Sequence, residues 1–476
     1  MKIMKKGNAL QAGFWYMFSN FLIKGIAFIT MPIFTRLMTK SDIGDVSIFT
    51  GWISILGVVI TLNLGVSVII AKFDFKDDYE QFLSSIAVLG FLSTAAVYVI
   101  IWTFKDFILT LLGIREYELH VMFLYLMFLP SMDIALGKFR AEMRFRPVII
   151  LSVLSSSIST GTALLCVWLF EDRLKGRVYG TYFPIIAINI SLFVYLIVKG
   201  RSVKIVYWKY ALAISLPMII HNLSGNILNS SDRIMIQKMC SSEDAAVYSV
   251  AYACGMFVNI IRNSMDSAWA PWMFEQINAG GEKKIRQISK PYLLCFFSIC
   301  IFIVLISPEL LFVMGGKDYV SAKYVVPPVI GGYMFSMLYS LYGGIERYYK
   351  KQQWFALFAS ISAILNLGLN YIFIPKFGYI AAAFTTQISC AVEFFLHYFN
   401  VYKMKKSGCY DTRFIIFMIF LCVISTMLSE LLYMKKTIRF CFIFFGGFLS
   451  FFIAISKREE IKSFVDAYKD KNRKIG

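Results

Sequence analysis

Long apolar runs follow one another along almost the whole chain, broken only by short polar turns. Each is roughly 18 residues or more, enough for a helix rising about 1.5 Å per residue to cross a hydrocarbon core of about 30 Å. The runs are continuous, not alternating, which predicts helices and excludes a β-barrel. About fourteen spans are expected, which makes this an all-α polytopic membrane protein. The first six lie at 13–36, 46–71, 82–104, 118–137, 148–170 and 178–198. The next six lie at 210–236, 245–272, 291–313, 325–346, 354–375 and 378–402. A hairpin of two further spans, 414–434 and 438–456, leads to a charged tail.

The pattern repeats at a long period. Thr39-Lys-Ser-Asp-Ile-Gly-Asp-Val46 after span one matches Cys240-Ser-Ser-Glu-Asp-Ala-Ala-Val247 after span seven. Both read as a polar turn with a helix N-cap signal and an acidic residue in the first turn. Spans four and ten both end in charge, at Lys138 to Arg144 and at Glu346 to Lys351. Spans six and twelve both begin with glycine and small residues, at Gly176 and Gly180 and at Gly378 and Ala381. An even number of spans per unit makes the halves parallel repeats about an axis along the membrane normal, with a substrate path expected between them. The predicted organisation is a six-helix bundle over 1–200, a second over 201–402, the hairpin over 403–456 and a tail over 457–476.

Composition fits this picture. Hydrophobic residues make up 58% of the 476, too many for a soluble domain. The net charge of +19 sits in short loops and tails, so it is not a nucleic-acid surface. Lys and Arg favour the side of both termini, which the positive-inside rule places in the cytoplasm. No cleavable signal peptide is expected, because the first span is too long for one. The nine cysteines form no CxxC and mostly lie in apolar runs. No metal-ligating or nucleophilic constellation stands out, and Gly315-Gly-Lys317 lacks the rest of a phosphate loop. An enzyme is therefore not expected.

Polar residues inside spans carry the candidate chemistry. Lys24 falls near the middle of span one, where a lysine costs about 2.5–3.5 kcal/mol on insertion scales. Asn20 shares its face, one turn away. Either another helix supplies a carboxylate, or the charge faces a wet cavity and handles an anion. In the repeat register Asn20 matches His221 and Lys24 matches Gly225, so the charge is not duplicated. Span seven holds Asn222, Asn226, Asn229 and Arg233 in one stripe beside His221, which reads as a cavity lining or as interhelical glue. Span eight holds Asn259, Arg262, Asn263 and Asp266 on one face. Arg262 either pairs locally with Asp266 or offers its planar fork to a phosphate. Asp133, Asp266 and Glu393 are the candidates for ion coupling, Glu393 with His397 one turn away. Asp133 is read equally as interfacial. The paired glycines and prolines of span ten mark either a hinge or close packing.

Two stretches resemble the signatures of polysaccharide flippases, the Wzx-like transporters of the MOP superfamily. Met31-Pro-Ile-Phe-Thr-Arg-Leu-Met-Thr-Lys-Ser-Asp-Ile-Gly44 is similar to their first-loop signature. Leu216-Pro-Met-Ile-Ile-His-Asn-Leu-Ser-Gly-Asn-Ile-Leu-Asn-Ser-Ser-Asp-Arg233 is similar to their seventh-span signature. The likeness covers about residues 10–400. It implies the two-bundle fold shared with MATE exporters and lipid II flippases. It implies movement of undecaprenyl-pyrophosphate-linked oligosaccharide units to the outer leaflet of a bacterial cytoplasmic membrane, for O-antigen or capsule. A cationic cavity for the pyrophosphate follows, with a basic residue in span one, a role carried over to Lys24 alone. The amides of span seven suit a glycan. The implied partners are the lipid-linked oligosaccharide, membrane lipids, and the polymerase and glycosyltransferases of the pathway. No cofactor is implied beyond a proton or sodium gradient. The alternatives are a cation-coupled MATE-type exporter and a lipid II flippase.

Overall fold

The computed structural model describes residues 6–351, 353–405 and 407–444. Its helices are α1 (Lys6–Leu37), α2 (Lys40–Ile60), α3 (Ser67–Asp74), α4 (Tyr79–Thr103), α5 (Lys105–Leu112), α6 (Glu116–Ala141), α7 (Phe145–Leu169) and α8 (Arg173–Gly200). Then come α9 (Ile205–Met239), α10 (Ser242–Asn278), α11 (Glu282–Gly315), α12 (Val326–Tyr348), α13 (Gln353–Phe377), α14 (Tyr379–Lys403) and α15 (Thr412–Met434). Among the described residues, ten helices are long and apolar enough to span a membrane, or twelve if two bent pairs count as one span each. Outside that count stands α1, 32 residues long. The first thirteen predicted spans are thus helical, span two in separate pieces. A further helix begins at 436, but most of span fourteen and the tail fall outside the described residues.

The outward surface is apolar. Trp168, Ile364 and Met427 are each more than 70% exposed. Water would penalise such a belt, whereas lipid tails are its natural solvent. Inside, most helices pack within their own half, but α2 packs chiefly across the seam against α9 and α10, and α9 divides between the halves. Span two is not one helix. Leu62 and Asn63 take positive φ angles of 58° and 48°, separating α2 from α3. Gly65, just beyond the break, packs against Asp133 of α6.

Two repeat-related helix starts meet at the seam between the halves. Thr39 caps α2 in a capping box with Asp42. Ser241 caps α10, accepting from the Asp244 backbone N–H at 3.0 Å. Ser242 of α10 lies so close to Gly44 of α2 that a Cβ there would overlap its carbonyl, so only glycine fits. The Ser242 hydroxyl donates to Asp45 at 2.7 Å. Beside them, Thr35 of α1 donates to the Met314 carbonyl of α11 at 2.6 Å. These contacts close one end of the seam, here called the Thr39 end.

The caps also correct the repeat register. Thr39 is equivalent to Ser241 and not to Cys240, because these two residues cap. The shift of one residue places Asn20 on Asn222 and Lys24 on Asn226. The lysine is still unmatched.

In span ten the packing reading holds over the hinge. The helix α12 runs unbroken, and its 49° bend lies before it, against the 3₁₀ stretch Lys317–Tyr324. Gly343 admits the Phe355 ring, and Gly344 admits Met273. At the opposite end, Asp411 caps α15 and pairs with Lys290 of α11 at 2.8 Å and with Arg286 at 3.5 Å. The Lys290 hydrogen bond holds the Asp411 carboxyl down at about 2.

Candidate functional site

The two parts of α9, Ile205–Ile220 and Asn222–Met239, meet at 41°. Pro217, one turn earlier, removes a backbone donor and loosens the ladder there. Past the bend, Asn222, Asn226 and Asn229 line a cavity of about 520 Å³. Tyr252, Asn259 and Arg262 of α10, Tyr333 and Tyr339 of α12, and Glu393 of α14 complete much of its wall. Among the described residues, Val58 of α2 is the one lining residue from the first half. The cavity therefore lies within the second half and reaches the seam, whereas the repeat suggested a path shared more evenly.

Its amides are partly engaged. Asn226 donates to the Ser54 carbonyl of α2 at 2.6 Å, tying α9 across the seam. Asn229 accepts from Tyr252 at 3.1 Å. Arg233 is not in the cavity wall. Its guanidinium lies 4.8 Å from the Tyr252 ring, and its Nε has no partner among the described residues. The side chains of Asn20 and His221 lie outside the described residues.

The two predicted cations differ. Arg262 donates to Asp266 at 3.0 Å, to Asn259 at 3.0 Å and to Asn263 at 2.7 Å. The local pair with Asp266 is therefore formed, and it orients the guanidinium at the cavity wall. Lys24 makes no hydrogen bond or ion pair among the described residues, and it lies within coulombic reach of Arg262. Ring contacts explain the approach, because Phe28 of α1 sits 6.0 Å from Phe257 of α10. Lys24 is not among the residues that line the cavity, and two like charges within reach of one another form no ion pair.

The carboxylates occupy different settings. Asp133 is exposed, with Gly65 against its Cβ. Glu393 lines the cavity and is 4% exposed. His397, expected beside it, instead bonds Glu346 of α12 at 2.8 Å. Sequence reasoning passed over the most elaborate acid, Asp232. It is 1% exposed and accepts from Tyr248 at 2.6 Å, Asn370 at 2.6 Å and Thr386 at 2.8 Å. Asn366 bonds both Asn370 and Thr386. The signal was present: Asn366 and Asn370 are one turn apart in an apolar run, opposite Thr385 and Thr386. Asp232 was overlooked because its neighbour Arg233 continued the amide stripe. Among the described residues, no group of three or more His, Cys, Asp or Glu could hold a metal ion.

A family described as polysaccharide biosynthesis protein matches residues 9–277, more than half of the chain. The chain belongs to that family. A second family, described as MatE, matches residues 217–372. Together they make this member a flippase or transporter of the MOP type. It is 23% identical over 401 residues to the probable low-salt glycan biosynthesis flippase Agl15 of Haloferax volcanii, covering 80% of each chain. Its fold is similar to that of a lipid II flippase, MurJ, in an inward closed conformation. There the TM-score is 0.71 at 14% identity, covering 93% of this chain and 99% of the other. It is also similar in fold to a MOP superfamily transporter from Pyrococcus furiosus. In that case the TM-score is 0.55 at 14% identity, covering 84% and 96%. The two-bundle, MATE-like architecture and the multi-pass membrane setting agree with expectation.

Proposed function

We propose that this family member moves a lipid-pyrophosphate-linked oligosaccharide from the cytoplasmic to the outer leaflet for surface polysaccharide synthesis. The observation that carries this reading is Lys24, which has no counter-ion among the described residues and lies within coulombic reach of Arg262. A diphosphate bridging them would remove their mutual repulsion. The amides of Asn222, Asn226 and Asn229 share the cavity wall with Arg262 and suit the sugar hydroxyls. The glycan flippase and the lipid II flippase among its relatives support cargo of this class. Both termini lie in the cytoplasm on this reading, and the Thr39 end faces outward. The halves then rock about the α2 and α10 contact, opening the site to each side in turn. An exporter of organic cations fits less well, since Glu393 is the one carboxylate in the cavity wall and Arg262 stands opposite.

The test is complementation of a strain whose surface polymer depends on this gene. K24A and R262A, present in the membrane at wild-type levels, should lose the polymer. Normal polymer in both variants would falsify the assignment.

A further inference from the structure

Near its end, α6 carries Lys138 and α12 carries Glu346, each touching a later helix of its own half. The matching caps at Glu142 and Tyr349 set Lys138 one residue short of Glu346 in the repeat, and aligning Gly176 with Gly378 puts Tyr195 on His397. Lys138 Nζ donates to the Tyr195 hydroxyl at 3.1 Å, and Glu80 Oε1 neutralises the lysine at 2.6 Å. His397 Nδ1 meets Glu346 Oε2 at 2.8 Å, and Asn400 donates to Glu346 Oε1 at 2.6 Å. Each half thus has a polar joint between helices near this end, built from different chemistry. The first is a fixed ion pair. The second is built from an imidazole, whose ordinary titration range lies near neutrality.

Three further observations mark the second joint. Both its side chains are 0% exposed. His397 Nε2 is buried with no partner among the described residues. Tyr339 stacks on the imidazole at 5.6 Å, and Phe355 and Phe358 close it in at 4.8 Å and 5.0 Å. Glu393 lies one turn away on α14 and lines the cavity. A buried acceptor nitrogen with no donor is costly unless something fills it.

We propose that the His397–Glu346 pair is the proton-binding site that drives this transporter, with Glu393 as its door to the cavity. In the unloaded state His397 is neutral, Nδ1–H donates to the Glu346 carboxylate, and Nε2 is bare. A proton from the cavity is taken by Glu393 and passed to Nε2. The node then changes from one net negative charge to an uncharged imidazolium–carboxylate pair, with one proton gained. Losing the net charge eases the burial of the α12 and α14 joint, and so biases the two states of the seam.

Other charged or titratable groups face this region. Arg262 and Asp266 come from α10 and are paired with each other. Tyr339 and Arg347 come from α12, Arg347 lying over Phe355 at 5.2 Å. Cys390 and Tyr398 come from α14 itself. Tyr410, before α15, bonds the Leu341 carbonyl. None is an imidazole. The inference rests on the transporter reading but not on the cargo, so it is tested without substrate.

The chain has three histidines, which makes imidazole ¹⁵N NMR of the full chain in nanodiscs tractable. H120N and H221N assign two of the signals, and the third is His397. It should show the Nδ1–H tautomer at high pH and the doubly protonated form at low pH. The midpoint should move by about one pH unit in E346Q, and stay in place in K138M. In parallel, spin labels at T110C and K317C, with exposed Cys240, Cys295 and Cys441 changed to Ser, report the spacing at the Thr39 end. That spacing should change over the same pH range in wild type, and should be constant in E346Q and E393Q. Both of these variants are isosteric, so a folding failure of H397N leaves the test intact. A His397 that keeps one protonation state, or titrates alike in E346Q, would overturn the proposal. So would titration with no movement at the seam.

Discussion

Lys24 and Lys138 are lysines of the same half, each inside a helix, and they are opposite in kind. Lys138 is 3% exposed and fully engaged by Glu80 and Tyr195. Lys24 sits at the seam within coulombic reach of another cation, with no partner among the described residues. A paired lysine joins helices, and its loss leaves a carboxylate without its counter-ion. An unpaired lysine contributes nothing to folding that would recover its desolvation cost. On the proposed reading, its purpose lies in something that arrives. The contrast supports that reading better than depth in the membrane does.

Mutation should separate the two. K24A should show the largest effect on transport, a complete loss, with a melting temperature at or above wild type. K138M should do the reverse, lowering stability by about 1.5–3 kcal/mol while keeping transport per folded molecule. Thermal unfolding in detergent beside a polymer assay would show it. Equal destabilisation by both changes would erase the distinction and make Lys24 structural.

The network around Asp232 extends the comparison to the second half. Asn370 joins α13 to α9 there, and N370A leaves the buried Asp232 one donor short. A loss of about 1–3 kcal/mol follows, read in the same unfolding assay. N226A removes a bond to an exposed main-chain carbonyl edge of the cavity, so its cost should fall nearer the lower end of about 0.5–1.5 kcal/mol. Should N226A prove the costlier, the network would not be the main tie of the second half.

The smallest effect belongs to Asp411. Its folded-state value near 2 lies below that of an ordinary carboxyl. The stability it contributes is therefore fully present above about pH 4 and is lost as pH falls toward about 2. Between pH 5 and pH 8 its contribution is flat. D411N should reduce stability by less than about 1 kcal/mol, because the pair is at the surface. It should leave any pH dependence near neutrality unchanged, which separates that signal from His397.

The sequence reveals the helices well and the partners poorly. Apolar runs bounded by polar turns place thirteen spans, because in lipid the backbone leaves few other choices. The break at Leu62 and Asn63 stayed hidden, since positive φ at a leucine has no local signature. The one-residue register error at Thr39 arose because the match was started at Cys240, whereas the geometry makes Ser241 the cap. Asn222, Asn226, Asn229, Arg262 and Glu393 were found by helical spacing and do meet in one cavity. The partner of His397 was missed because it lies on another helix, 51 residues away. Spacing shows which residues share a face. It does not show which face lies opposite.

The most direct test of the account is translocation itself. Purified wild type and K24A are placed in proteoliposomes with a fluorescent undecaprenyl-pyrophosphate oligosaccharide, and the label reaching the far leaflet is quenched over time. Wild type should move the lipid above the protein-free rate, and K24A should match protein-free vesicles while remaining folded. Translocation by K24A at the wild-type rate would contradict the claim that this lysine holds the cargo.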